Sequence, residues 1–311
     1  MNDSAINNPV SSNTASNNQV PKASWKDYLE LTKPKVVFLL LITAVVGMFM
    51  ATPGMVPLDI LIVATIGIGF ASGGAAVVNH IVDQKIDLIM ARTHKRPVAT
   101  GKISDKQAIT FAAFLSISSL LTLYFYINPL TAVLTVFGLV GYAFVYTMYL
   151  KRATPQNIVI GGLSGAIPPL LGWTSVTGGS GEIHPHALLL VLIVFVWTPP
   201  HFWALAIFRR DEYAKANIPM LPVTHGIDFT KTNIILYTIL LIFAGLLPYL
   251  VHMSGLIYLV SSTILGLIFL VYAIRLKLSD DRQLAMDTFK YSIQYLLLIF
   301  VALLVDHYYF F

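Results

Sequence analysis

The sequence predicts an all-α, polytopic integral membrane protein with nine transmembrane helices, arranged as two four-helix halves plus one. Three observations carry this. Only 11% of the 311 residues are charged, against about 25% in an ordinary soluble domain. Apolar runs of the length that a bilayer core demands, roughly 20 helical residues, recur nine times along the chain. Every Lys and Arg falls on one side of the alternation that these runs create.

Residues 1–23 are rich in Asn and Ser and almost free of large apolar side chains, so they cannot bury enough surface to offset the entropy of ordering. They are expected to be a disordered cytoplasmic tail ahead of one membrane domain, 24–311. They lack both the apolar core of a cleaved signal peptide and the Arg-rich amphipathic pattern of a transit sequence. The next segment, SWKDYLEL at 24–31, carries Trp25 and Tyr28 and reads as a short amphipathic helix lying in the interface. The spans follow at 36–53, 58–78, 107–126, 130–150, 157–175, 187–207, 231–251, 256–274 and 289–310. Asn128-Pro129 is read as the tight turn that separates the third from the fourth. The chain has no cysteine, which excludes disulfides, thiolate catalysis and Cys-ligated metal; any metal must use oxygen or imidazole.

The basic residues set the orientation. Lys22, Lys26, Lys33 and Lys35 precede span one, and Lys85, Arg92, Lys95, Arg96, Lys102 and Lys106 lie between spans two and three. Lys151 and Arg152 follow span four, Arg209, Arg210, Lys215 and Lys231 follow span six, and Arg275, Lys277, Arg282 and Lys290 follow span eight, which accounts for all 20. By the positive-inside rule this face is cytoplasmic, with the N-terminus inside and the C-terminus outside. The net charge of +5 is then a signal of orientation and of a possible anionic ligand, and nothing points to nucleic acid. Spans one and two recur loosely as spans five and six, and in both halves the second span runs into a long charged loop. Duplicated halves of this kind place substrate between them.

The first charged loop begins inside the end of span two. Asn79, Asp83 and Asp87 are spaced four apart and stack on one face if the helix continues. Two carboxylates at that spacing repel, unless a cation lies between them. Carboxylate and amide oxygens suit Mg²⁺, which keeps several waters and is typically held by one or two carboxylates plus substrate phosphates; Arg92, Lys95 and Arg96 supply donors for phosphate oxygens. The plainer alternative is a solvated loop in which Asp83 or Asp87 pairs with Lys85. After span six the second half offers Asp211, Glu212 and Tyr213 among Arg209, Arg210 and Lys215. Two such clusters at one mouth, above an apolar bundle, suit a diphosphate with a hydrophobic tail, that is, an isoprenoid diphosphate.

The run N-x-x-x-D-x-x-x-D followed by R-T-x-x-R-P, made by Asn79, Asp83, Asp87, Arg92, Thr93, Arg96 and Pro97, resembles the intramembrane prenyltransferases of the UbiA superfamily. LTKPKV at 31–36, YLKRATPQNIVIGGLSGAIPPLLGW at 149–173, WTPPHFWALAIFRR at 197–210 and NIPMLPV at 217–223 resemble its haem-farnesylating branch. The resemblance covers roughly residues 29–230. It implies nine helices around a central cavity, Mg²⁺ held by Asn79, Asp83, Asp87, Asp211 and Glu212, and farnesyl diphosphate and protohaem IX as substrates. The product, haem O, would pass to haem A synthase or to terminal oxidase assembly, and the site would lie in the cell inner membrane. The chain departs from the superfamily at position 80, a His where many members carry Asp, and in a second acidic motif that lacks a further aspartate.

Other positions admit two readings each. Lys151 and Arg152 are anchors at the membrane edge or diphosphate contacts. His201 follows Pro199-Pro200, which must break the helix ladder; it is a packing residue or, with Trp197 and Trp203, a wall of the haem cavity, because ionisable residues inside a bilayer tend to be functional. His184 and His186 belong to a solvated outer loop or receive haem there. Gly161, Gly162 and Gly165 read as small-residue helix packing. The rivals to a haem prenyltransferase are a prenyltransferase acting on a quinone precursor, a cation-coupled transporter, whose acidic residues would lie near mid-membrane, and a non-catalytic assembly factor.

Overall fold

The computed structural model describes residues 23–310; the expected tail, 1–23, lies outside them except for its last residue, and residue 311 lies outside them too. Helix α1 (Trp25–Leu31) starts where the Asp27 carboxylate accepts from the backbone N–H and the hydroxyl of Ser24, both at 2.7 Å. Trp25 stays exposed while Tyr28 meets Phe111 edge-on at 5.2 Å, the division expected of a helix at an interface. Lys33 then takes a left-handed conformation, φ 52°, and Pro34 opens α2 (Pro34–Met50), bent 55° from α1.

Eight more long helices follow: α3 (Leu58–Val82), α4 (Asp105–Ile127), α5 (Pro129–Ala153), α6 (Asn157–Ser180), α7 (Pro185–Phe208), α8 (Ile227–Leu250), α9 (Leu256–Leu278) and α10 (Arg282–Tyr309). Each is long and apolar enough to cross a membrane, and α1 with α2 makes the ninth such span as a bent pair. Among the described residues the nine-span expectation therefore holds, with the bent pair as one span.

The differences from the sequence reading lie at helix ends and irregularities. Asn128 makes the expected turn: its side-chain oxygen accepts from Thr131 N at 2.8 Å and its amide donates to Thr174 O at 2.9 Å, which ties the turn to α6. From Gly141 to Leu150, α5 winds as a π-helix, a form concentrated at functional sites. Pro199 and Pro200 lie inside an unbroken α7, contrary to expectation. The missing N–H groups cost two rungs, and the flanking rungs hold the helix, as membrane helices allow. The last span begins seven residues before the expected start, so Arg282 and Lys290 sit in α10 and not in a loop.

Consecutive spans pack side by side, α10 returns to α2 to close a ring, and α2 also packs closely against α6. That contact is set by glycine. A Cβ on Gly172 would stand 1.8 Å from Ala44 O, and one on Gly47 2.2 Å from Pro169 O, so the two backbones touch where any side chain would part them. Gly161 and Gly162 also pack as expected, against Tyr146 and Thr198, whereas a Cβ on Gly165 would meet no neighbouring helix within 4 Å and the residue instead lines a cleft. At the other end of the ring, Asp306 of α10 accepts the N–H groups of Gly255 and Tyr258, capping α9 from a neighbouring helix. Beside it the Tyr308 hydroxyl donates to Gly54 O at 3.0 Å, fastening α10 to the loop between α2 and α3.

Candidate active site

Helix α3 ends at Val82, and Asp83, with φ −87° and ψ 1°, turns the chain into a single helical turn, Gln84–Asp87. The expected stack on one continuous face is thus interrupted, and the two carboxylates are served separately. Asp83 Oδ2 accepts from Asn79 Nδ2 at 2.7 Å and from Lys151 Nζ at 2.5 Å. Asp87 takes Arg96, whose Nη1 donates to both carboxylate oxygens at 2.7 Å, while Thr93 Oγ1 donates to the Asp87 carbonyl at 3.1 Å. Lys85, the partner in the plainer reading, points into solvent. Lys151 reaches Asp83 because the π-helical stretch ends beside it. Its neighbour Arg152 donates to Val82 O at 3.3 Å.

Lys33 completes this cluster by donating to Asn79 Oδ1. By sequence, Lys33 figures in the count of basic residues and in the LTKPKV stretch, and not among the site residues. The available signal was local: a Lys directly before the Pro that starts the first span, where the break in the helix frees the ammonium to turn inward.

The second cluster comes from α7 and the short helix Arg210–Lys215. Glu212 Oε1 accepts from Arg209 Nη1 at 2.8 Å, and its other oxygen, Oε2, is buried with no hydrogen-bond partner. Asp83 Oδ1 is orphaned in the same way. Asp211 does not join them: it is 55% exposed and paired with Arg282 at 2.8 Å, a bond that holds its carboxyl below the usual range. Lys215 is also exposed. Tyr213 is buried, which raises its hydroxyl pKa against the opposing charges of Arg92 and Arg209. The clusters meet, as Ile86 and Met90 of the first share one apolar core with Ile207 and Tyr213 of the second, and the charges of Arg92, Arg209 and Asp83 all reach Tyr213.

Below Lys33 a cleft runs between α2, α3, α5 and α6, lined by Val36, Leu40, Ala75, Ala76, Tyr142 and Gly165 among others. The α7 aromatics lie elsewhere. His201 is stacked between Trp197 and Phe289, with ring centroids 4.2 and 4.5 Å away, and its Nδ1 pairs with Ser292 Oγ at 2.6 Å. Trp197 Nε1 donates to Ser292 O at 2.7 Å. Trp203 is buried edge-on to Tyr237 at 5.2 Å. All three fasten α7 to α8 and α10 and none lines the cleft. On the opposite end of the bundle, His184 stacks on Trp173 at 5.3 Å and touches His186. No group of three or more His, Asp or Glu side chains converges as a preformed metal cage among the described residues.

This arrangement gathers cations and two unsatisfied carboxylate oxygens, and Lys33 links it to an apolar cleft. A protein of Alcanivorax borkumensis named protoheme IX farnesyltransferase is 65% identical over 289 residues, covering 92% of this chain and 94% of its own. The fold is that of a solved digeranylgeranylglyceryl phosphate synthase structure, with TM-score 0.75 at 20% identity over 91% of this chain and 98% of the other. A UbiA homolog from Archaeoglobus fulgidus, solved bound to GPP and Mg²⁺, matches with TM-score 0.60 at 16% identity over 89% and 99%. The UbiA prenyltransferase family model spans residues 40–304, so by fold, extent and sequence the chain belongs to the UbiA prenyltransferase family.

Proposed function

We propose that this prenyltransferase moves a farnesyl group from farnesyl diphosphate to a vinyl group of protohaem IX, with addition of water, to give haem O for terminal oxidase biogenesis. The reaction itself is supported above all by one observation. Two buried, unsatisfied oxygens, Asp83 Oδ1 and Glu212 Oε2, belong to a mouth furnished with Lys33, Arg92, Arg96, Lys151 and Arg209, and Lys33 joins that mouth to an apolar cleft. Acceptor and chain length follow from the 65% identity to a protein of that name.

The donor set fits Mg²⁺. An anion-free mouth would satisfy its carboxylates with cations alone, and here one oxygen of each cluster is left over. Mg²⁺ prefers oxygen, keeps waters, and takes few protein ligands beside substrate phosphates, so the lack of a complete protein cage agrees with it. Asp83 and Glu212 would hold the ion, with Asn79 and Asp87 released from Lys33 and Arg96 as those cations turn to phosphate. Bound there, the ion stabilises charge on the leaving oxygens.

The chain's own groups do the rest. Lys33, Lys151, Arg92 and Arg96 hold the diphosphate, and the cleft side chains hold the isoprenoid and keep water away from the allylic carbon. The C1–O bond breaks with its electrons on the diphosphate, and the terminal vinyl carbon bonds to C1. The resulting cation, stabilised by the macrocycle, takes a water oxygen and loses a proton. The enzyme sits in the inner membrane with this mouth in the cytoplasm.

Two measurements test this reading. Incubation in detergent with Mg²⁺, protohaem and farnesyl diphosphate in ¹⁸O-labelled water should yield a haem heavier by one farnesyl chain and one labelled hydroxyl, and chelating Mg²⁺ should stop it. Unmodified haem beside a prenylated quinone precursor, when both acceptors are offered, would reassign the acceptor. For orientation, reporter fusions at residues 100 and 220 should report cytoplasm, and fusions at residue 180 and after 311 the outer side. A cytoplasmic signal after 311 would overturn the assignment.

A further inference from the structure

His80 is 2% exposed, and neither of its ring nitrogens has a hydrogen-bond partner. Leaving two polar atoms buried and unpaired is costly, and groups of this kind call for an explanation. Its place in the helix supplies one. Ser72, Ala75 and Ala76 of α3 line the cleft, and the same face one turn on carries Asn79 and His80. His80 therefore stands where the cleft opens into the ionic mouth. The charges of Lys33, Arg96 and Arg92 reach it, and Lys33 both lines the cleft and bonds the adjacent Asn79.

We propose that His80 is a substrate-contact residue whose imidazole N–H donates to an oxygen of the prenyl diphosphate at the mouth of the cleft. This rests on the diphosphate reading above and deepens it. Three neighbouring cations make the position attractive to an oxyanion and unattractive to a cation such as a haem iron. The imidazole adds a directional donor on the cleft side of the mouth, where the ammonium and guanidinium groups alone would leave the diphosphate free to slide. Oxyanions reach this site from two sources, the diphosphate and the haem propionates. The proposal commits to the diphosphate because Lys33 links His80 both to the acidic cluster and to the tail cleft.

The test uses the full chain in detergent with Mg²⁺ and inorganic pyrophosphate, titrated calorimetrically, beside steady-state kinetics. His80→Ala should weaken pyrophosphate binding about tenfold, the loss expected for one hydrogen bond to a charged partner. KM for farnesyl diphosphate should rise to match while KM for protohaem stays unchanged. His80→Asn, which keeps an N–H donor, should recover part of both losses. Should His80→Ala fail to fold, His80→Met, long but without a donor, takes its place with the same expectation. Unchanged pyrophosphate affinity in a folded variant overturns the proposal, and so does a rise confined to the KM for protohaem. Pyrophosphate binding is independent of the acceptor, so a wrong acceptor would appear separately, as normal binding without farnesylated haem.

Discussion

Asp83→Asn is expected to lower turnover by about 10²–10³-fold, the scale on which a single preorganised electrostatic group acts. Asp83 is 1% exposed and joins three things: the Asn79 amide, the Lys151 ammonium and one oxygen left over. The amide variant keeps the shape but removes the charge on which, in the proposed function, Mg²⁺ and diphosphate depend together. Glu212→Gln should be severe for the same reason, since Glu212 Oε2 is the matching oxygen from the second cluster. Asp87→Asn should also be severe, through the loss of Arg96's anchor. Asp211→Asn should do little, because that carboxylate is exposed and held by Arg282. The measurement is initial rate of haem farnesylation at saturating substrates, with folding checked by size-exclusion chromatography in detergent. Near-normal turnover in folded Asp83→Asn and Glu212→Gln would return both loops to the status of solvated ion pairs.

Gly172→Ala is expected to cost about 3 kcal/mol or more of stability, at the upper end of overpacking penalties. The added Cβ would lie 1.8 Å from Ala44 O, a backbone atom that no rotamer change can move. Relief requires α2 and α6 to separate, and Lys33, immediately before α2, and Gly165, on α6, both line the cleft. Gly165→Ala is the control. It sits on the same helix with nothing within 4 Å, so it should leave stability unchanged and, if anything, act on substrate binding. Thermal aggregation midpoints of the two variants in one detergent decide the matter, and equal midpoints would show that the contact is looser than its geometry.

Much of the architecture was legible because a bilayer imposes it. Backbone groups in hydrocarbon must pair within their own segment, so apolar runs must be helices, and nine runs with basic residues in alternate loops give nine spans. The first acidic motif was legible for a related reason: charge is costly near hydrocarbon, so Asn79, Asp83 and Asp87 at the end of a span stand out. What hid the rest is that partners are chosen across helices. Asp83 meets Lys151 across 68 residues and Trp197 meets Ser292 across 95, separations that no local pattern encodes. His201, Trp197 and Trp203 read as a site because polar and aromatic groups in a span suggest one, yet they spend their hydrogen-bonding and stacking on α8 and α10.

The sequence by itself determined the class, the number of crossings, the face that bears charge and the residue types of the mouth, all of which follow from transfer energies that each segment meets alone. Only the tertiary structure decided which oxygens remain unsatisfied, that Lys33 bonds Asn79, that Asp211 pairs with Arg282 instead of joining Glu212, and where the cleft runs. Those depend on a left-handed Lys33, a π-helical turn before Lys151 and the touching backbones at Gly47 and Gly172. Each is a packing solution, set by which neighbour fills the space, and a linear pattern of polarity holds no record of it.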